Sequence, residues 1–214
     1  MISAKSPAGH GIHSPLVFDF VREVLHQKDK PNQLNEIEWY RDWQVNSPVV
    51  LKNSNFGAGS KDLSKSSPLG RLIKNSSVSP KIGSFLFHLS KWLKAETILE
   101  LGTSVGISTL YLASACPEAK ILTLEGDSQR ATYAKHSFEF MNFNNIEVIE
   151  GDFDNTLAHA INKVPKFDLV FFDGNHRAEP TLRYFKQCLK NKHDETAFVF
   201  DDIRWSSEMY RAWQ

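Results

Sequence analysis

The chain has 214 residues, enough for one sizeable domain with an appendage, and its 25 Lys and Arg balance 25 Asp and Glu beside 8 His. With no net field and no basic run, nucleic acid is not an expected partner. Hydrophobic residues at 41% support a packed core, charged ones at 23% suit a soluble surface, and the apolar runs are far too short for a membrane span.

Residues 1–15 contain His, Pro and Gly but no apolar stretch of the signal-peptide kind. Ser14 is placed to cap a helix, and Pro15 suits its first position. Val17, Phe20, Val21, Val24 and Leu25 then form one helical face. A second helix is expected over 33–44, with Ile37, Tyr40 and Trp43 on one side. Residues 53–70, rich in Ser, Gly and Lys, read as a loop. Inside it, Asn55 to Ser60 imitates a glycine-rich ligand turn, but no acid-tipped strand follows at the right distance. Residues 81–94 predict a firmer helix, with Ile82, Phe85, Leu86, Leu89 and Leu93 in register.

From there strands and helices alternate. Strand 1 is expected at 97–101 with a helix over 106–115, and strand 2 at 120–125 with a helix that Ser128 caps and whose Ala134, Phe138 and Met141 face inward. Strand 3 is expected at 146–149 with a helix from about 155, and strand 4 at 167–172 with a helix from Pro180 whose Leu182, Phe185 and Leu189 share a face. Strand 5 is expected at 197–200, and a last helix near Ser206. This predicts an α/β Rossmann-like parallel sheet of order 3-2-1-4-5 with helices on both faces. The expected division is a helical, irregular cap over 1–80 and a ligand-binding domain over 81–214. Cys116 and Cys188 form no metal-ligand spacing, and Cys188 reads as a buried thiol; both suit a reducing cytoplasm.

The run from Thr97 to Thr109 (TILELGTSVGIST) carries the most chemistry. It is a buried strand, a glycine turn and a helix N-terminus, and strand 2 ends in Glu125, 23 positions after Gly102. An acid there accepts hydrogen bonds from ribose hydroxyls, and glycine lets the backbone approach a ligand closely. The dinucleotide fingerprint needs three glycines, G-x-G-x-x-G. Here Gly102 and Gly106 are four apart, Ser104 holds the middle place, and no basic residue waits for a phosphate. The turn suits a ligand with ribose and no phosphate.

On Glu100, Leu101, Gly102, Gly106 and Ser108 the chain resembles the class I S-adenosylmethionine-dependent methyltransferases, within them the catechol and caffeoyl-CoA O-methyltransferase-like group. The resemblance covers about residues 81 to 210. It implies S-adenosylmethionine as cofactor, a small-molecule methyl acceptor, and Glu100, Gly102, Thr103, Ser104, Gly106, Ser108, Glu125, Gly126, Asp152 and Asp173 as the cofactor contacts. Asp152 is the candidate for the adenine amine, with helix capping as the bland alternative. The resemblance also implies a divalent metal such as Mg²⁺ or Ca²⁺ on Asp173 and on an Asp-Asn pair. Asp201 matches that pair and Asp202 does not, though all three carboxylates are hard oxygen donors that repel one another without a cation. The alternative is an Asp that binds substrate or caps the helix from Ser206. The family's catalytic Lys position holds His176, a reasonable base for a hydroxyl beside Asp173. His10, His13 and Trp205 are candidates for the acceptor side. A sixth and a seventh strand are implied after the last helix; the sequence ends at Gln214 without them. Either a C-terminal continuation is missing, the favoured expectation, or a partner or the N-terminal region covers the edge of strand 5. A homodimer is left open. A nicotinamide oxidoreductase and a non-catalytic methyltransferase-like binding module are the rival classes. The first is opposed by the missing glycine; the second would tolerate loss of His176 and Asp173.

Overall fold

A computed structural model of the chain describes residues 14–27, 30–52 and 66–214. The central sheet has five parallel strands: β3 (Thr97–Leu101), β4 (Lys120–Glu125), β5 (Ile146–Glu150), β6 (Leu169–Phe172) and β7 (Ala197–Phe200). A short antiparallel pair, β1 (Val50–Lys52) and β2 (Ser66–Pro68), precedes them. The sheet runs β5-β4-β3-β6-β7. Counted within this sheet alone, that is 3-2-1-4-5; the numbers shift because β1 and β2 come first. Register is continuous, with Leu101 opposite both Leu124 and Phe172, and Glu125 opposite Glu150.

Strand residues alternate between two faces, as the pleat requires. On one face Ile98, Ile121, Leu169 and Phe171 join a cluster with Leu86, Phe87, Leu110 and Phe138. These last residues come from α4 (Pro80–Leu93), α5 (Ile107–Ala115) and α6 (Ser128–Phe140). On the other face Leu99, Leu101, Leu122, Leu124, Val170 and Phe172 pack with Leu157, Ala160, Tyr184 and Cys188, from α7 (Phe153–Asn162) and α8 (Ala178–Cys188). The central strands β3 and β6 are buried on both faces because both faces are covered, and all their buried side chains but Glu100 are apolar. Each fully buried Leu or Ile contributes about 1.5–3 kcal/mol.

The N-terminal elements are α1 (Pro15–Phe20), a π-helical turn at Val21–Leu25, α2 (Asn32–Val45) and α3 (Leu69–Ser76). Leu34, Ile37, Tyr40, Leu51, Leu69 and Ile73 belong to the same buried cluster as Ile98, so one core runs across residue 80. The chain closes with α9 (Ser207–Trp213), capped by Ser206. No described helix is long and apolar enough to cross a membrane.

Several expectations shift. Residues 66–70, expected as loop, hold β2 and the start of α3. Trp43 lies beside Tyr40, their rings 5.9 Å apart, but unlike Ile37 and Tyr40 it is exposed and stacks between Trp39 and Phe140. Asp127, not Ser128, caps α6, because its backbone is extended and its carboxylate accepts from Gln129 N and Arg130 N. Helix α8 starts at Ala178, and Leu182 and Leu189 are exposed while Tyr184 and Cys188 face the sheet. Strand β6 begins at Leu169 because Asp168 turns its carboxylate onto Glu96 N and Thr97 N. Residues 55–60, His10 and His13 lie outside the described residues.

Candidate functional site

Ligands of an open α/β sheet bind beyond the carboxyl ends of the strands, where the winding direction reverses. Here that point lies between β3 and β6. After β3, Gly102 N and Thr103 N both donate to Leu124 O, which bends the turn over the tip of β4. Gly102 has φ +113°, and a Cβ there would stand 2.3 Å from Asp173 O. Gly106 has φ +90°, and its Cβ would strike the Phe138 ring at 2.6 Å. Both glycines are therefore required by close protein contacts as well as by their left-handed backbone, a reason the sequence reading placed with the ligand instead.

Glu100 is fully buried on β3. Its Oε2 accepts from Thr109 Oγ1 at 2.5 Å and from Thr123 Oγ1 at 2.6 Å, while Oε1 has no partner. Burial raises its pKa; the hydroxyls of Ser108, Thr109 and Thr123 oppose that, and the charge of Glu125 adds to it. Ser104 sits in the left-handed region at φ +49°, and its buried Oγ is also without a partner. Thr103 Oγ1 lies 2.6 Å from Thr123 Oγ1.

At the tip of β4, Glu125 is buried and accepts Ser104 N on one oxygen at 2.7 Å and Asp127 N on the other at 2.9 Å. Burial raises its pKa, and those two N–H groups oppose the rise. Each oxygen keeps a further lone pair for a ligand hydroxyl. Gly126 follows, half-buried. Asp152, after β5, is exposed and caps α7 by accepting Asp154 N, which is the capping alternative to an adenine contact.

The tips of β6 and β7 carry the unusual backbone. Asn175 (φ +67°), His176 (φ +37°) and Asp202 (φ +52°) are all left-handed. Non-glycine residues in that region cost about 1–3 kcal/mol each and cluster at working sites. Asn175, which sequence reasoning missed, donates to Tyr184 Oη at 3.1 Å; only the tolerance of Asn for this backbone hinted at it. Asp173 is held well above the usual carboxylate range by burial first, then by Asp201, Glu100 and Asp202. Burial lowers the His176 pKa, against the pull of Asp202 and Asp201. Its Nε2 stands 3.8 Å from Asp202 Oδ2, and its ring 5.7 Å from that of Trp205. Trp205 is half exposed. The pKa of Asp202 is raised, by burial and Asp201 against the pull of His176.

Asp173, Asp201 and Asp202 thus gather at one end of the sheet but do not close on a common point. Asp201 Oδ1 accepts Asp202 N, and Asp202 turns towards His176. Among the described residues no group of three or more His, Cys, Asp or Glu side chains is arranged to hold a metal ion. The expected divalent site does not fit the donors as they stand.

Comparison with known proteins adds a second line. Residues 99–203 match the family described as methyltransferase domain. A catechol O-methyltransferase of Niastella koreensis is 31% identical over 130 residues, 59% of this chain and 58% of that one. One from Mycobacterium tuberculosis is 30% identical over 128 residues, 59% of this chain and 56% of that one. The chain thus spans under three fifths of the length of these relatives. Among solved structures, the O-methyltransferase from Bacillus cereus in complex with SAH superposes with a TM-score of 0.61 at 26% identity, over 92% of this chain and 83% of that one. A further O-methyltransferase structure, from Klebsiella pneumoniae, gives a TM-score of 0.59 at 21% identity, over 89% of this chain and 77% of that one, a likeness of fold. The glycine turn, the acid that ends β4 and the matched span agree in their direction: over residues 99–203 the chain is similar to the methyltransferase domain, and over some 130 residues to catechol O-methyltransferases.

Proposed function

We propose that this protein is an S-adenosylmethionine-dependent methyltransferase that methylates a hydroxyl of a small molecule. The observation that carries it is the pair of orphaned buried acceptors, Glu100 Oε1 and Ser104 Oγ, in the turn that also feeds Glu125. A buried acceptor without a partner is costly, and a polar ligand relieves it. S-adenosylmethionine fits this donor and acceptor set and, when bound, supplies a methyl group already activated on a positive sulfur. Glu125 would hold the ribose hydroxyls, with Gly126 beside it. Glu100 and Ser104 would meet the methionine end, with backbone from Gly102 to Gly106 and the start of α5 at Ser108. Asp152 has an oxygen beyond its cap for the adenine amine.

On the acceptor side, His176 kept neutral by burial would take the proton from the hydroxyl. Asp173, whose carboxyl burial and the neighbouring acids hold well above the usual carboxylate range, would in its protonated form donate a hydrogen bond into the cleft. The chain aligns the acceptor and excludes water; little covalent work is left to it. No step is carried through a divalent cation, whose place on Asp173, Asp201 and Asp202 would require those carboxylates to move. Residues 1–80 act as cap and 81–214 as cofactor domain in this reading. Calorimetry with S-adenosylhomocysteine and, separately, NAD tests it: binding of the first is expected, and binding of NAD alone would end it. Release of S-adenosylhomocysteine across a panel of phenols and alcohols then identifies the acceptor.

A further inference from the structure

The β1–β2 hairpin lies outside the matched span, yet it is tied to the glycine turn by an unbroken series of hydrogen bonds. Lys52 N donates to Gln129 Oε1 at 2.8 Å. Gln129 N donates to Asp127 Oδ1 at 2.9 Å. Asp127 N donates to Glu125 Oε1 at 2.9 Å, and Ser104 N to Glu125 Oε2 at 2.7 Å. A second, apolar route runs beside it. Leu51 of the hairpin is buried in the cluster that holds Ala134 and Phe138 of α6, and Phe138 is the ring against which Gly106 packs.

We infer that Gln129 is a positioning residue that couples docking of the β1–β2 hairpin on α6 to occupation of the nucleoside end of the cleft at Glu125. This rests on the methyltransferase reading above. The physical reason is shared geometry. Glu125 has one orientation that accepts both Ser104 N and Asp127 N, and a sugar bound to its remaining lone pairs would favour that orientation. Fixing Asp127 fixes the first turn of α6, and Gln129 is the second residue of that turn. Its side chain reaches the backbone of β1, 77 positions earlier in the chain. Coupling of this kind acts in both directions: a ligand on Glu125 steadies the hairpin, and a docked hairpin tightens the ligand. Nothing in the α6 side-chain pattern requires Gln at this place. Its side chain is exposed apart from this bond, and Ser128 beside it is exposed too.

The test uses the whole chain, S-adenosylhomocysteine as probe, and three proteins: wild type, Gln129→Ala, and Gln129→Glu, which keeps an acceptor for Lys52 N. Calorimetry reads affinity, and amide exchange reads residues 50–52, 66 and 67 with and without the probe. In the wild type the probe is expected to slow exchange of the hairpin. In Gln129→Ala affinity falls about fivefold, the worth of one hydrogen bond, and the probe no longer slows the hairpin. Gln129→Glu restores both. A Gln129→Ala protein that binds like the wild type, or whose hairpin is still slowed to the same degree by the probe, overturns the coupling and leaves the methyltransferase reading intact. A wild type that does not bind the probe removes that reading and, with it, the ground for the coupling. A merely structural Gln129 would change exchange in the free protein but not its response to the probe.

Discussion

Glu100 shows how a single residue is poised between stability and binding. Its carboxyl is buried, accepts two hydroxyls on one oxygen and none on the other. Its pKa in the folded chain is raised above 4.5, with burial the main cause. A raised acid keeps its proton longer in the folded state than in the unfolded one. Its contribution to stability is therefore full below about 4.5 and declines as pH rises through the folded value. Glu100→Gln removes that decline. The variant's melting temperature is expected to exceed the wild type's, and the gap to widen as pH is raised above 4.5, read by calorimetry over a pH series. Its affinity for S-adenosylhomocysteine is expected to drop tenfold or more in the same buffers, because the amide places a donor or a weaker acceptor where the ammonium is to bind. A variant no more stable at high pH would show that Glu100 already has a partner in the free protein. For His176, replacement by Ala is expected to lower kcat by about 10²–10⁴ and to leave the affinity for S-adenosylhomocysteine within about twofold, which isolates proton removal from cofactor binding.

Elements are set against one another by contacts that intrinsic preference does not reveal. Gly83 lies inside α4, where Ala would ordinarily favour the helix by about 1 kcal/mol. Its missing Cβ is the space the Tyr111 ring of α5 occupies, at 2.2 Å from the ideal position. Gly83→Ala is thus expected to destabilise by about 1–3 kcal/mol in urea denaturation, and Tyr111→Leu in the same chain to recover part of it. If Gly83→Ala stabilises, the α4–α5 contact is looser than described. Gly102→Ala faces a backbone, which yields less than a ring does. A cost of about 2 kcal/mol or more and loss of S-adenosylhomocysteine binding are expected together, since the residue it would displace is Asp173.

Across the whole molecule the two ends of the sheet carry different duties. The carboxyl ends of the strands hold Glu125, Asp173, His176 and Asp202. The amino ends hold a closed polar knot: Asp168 Oδ2 accepts Glu96 N and Thr97 N at 2.8 Å each, and Oδ1 is 2.8 Å from His193 Nε2. Glu195 N donates to His193 Nδ1, which leaves Nε2 as the protonated nitrogen of the neutral ring, facing Asp168. The knot joins the connection before β3 to the one before β7. Asp168→Ala leaves those donors unpaired and is expected to cost about 2–4 kcal/mol, yet to change the affinity for S-adenosylhomocysteine by less than about twofold. An equal fall in stability and affinity would show the two ends to be coupled.

The order of strands and the place of Glu125 at a strand tip were legible in the chain because both depend on local signals. Residues 97–101 and 197–200 are apolar runs between turn residues, and β3 and β7 occupy those positions. Glu125 ends its strand as its spacing from Gly102 implied. What was not legible depends on partners distant in sequence. Three-residue strands such as β1 and β2 bury one side chain each, too few for a period to show. The inward face of α8 was legible only in part: Cys188 is buried as expected and Phe185 packs on the same cluster, but Leu182 and Leu189 mimic a core stripe and are exposed, while the sheet takes Tyr184. Trp43 shares the side of Tyr40 as its period implies, but the period does not say that this edge of the side stays at the surface, stacked on Trp39 and Phe140. The amino-acid order alone thus determined the alternating α/β pattern and set Gly102, Gly106 and Glu125 in the turns and strand tip at one end of the sheet, since hydrophobic period and turn chemistry act over a few residues. Only the tertiary structure decided that Gly102 and Gly106 yield to Asp173 and Phe138, that Asp202 turns towards His176 beside Asp201, and that an early hairpin reaches Glu125 through Gln129. Those outcomes depend on packing and hydrogen bonds between segments that no local pattern relates.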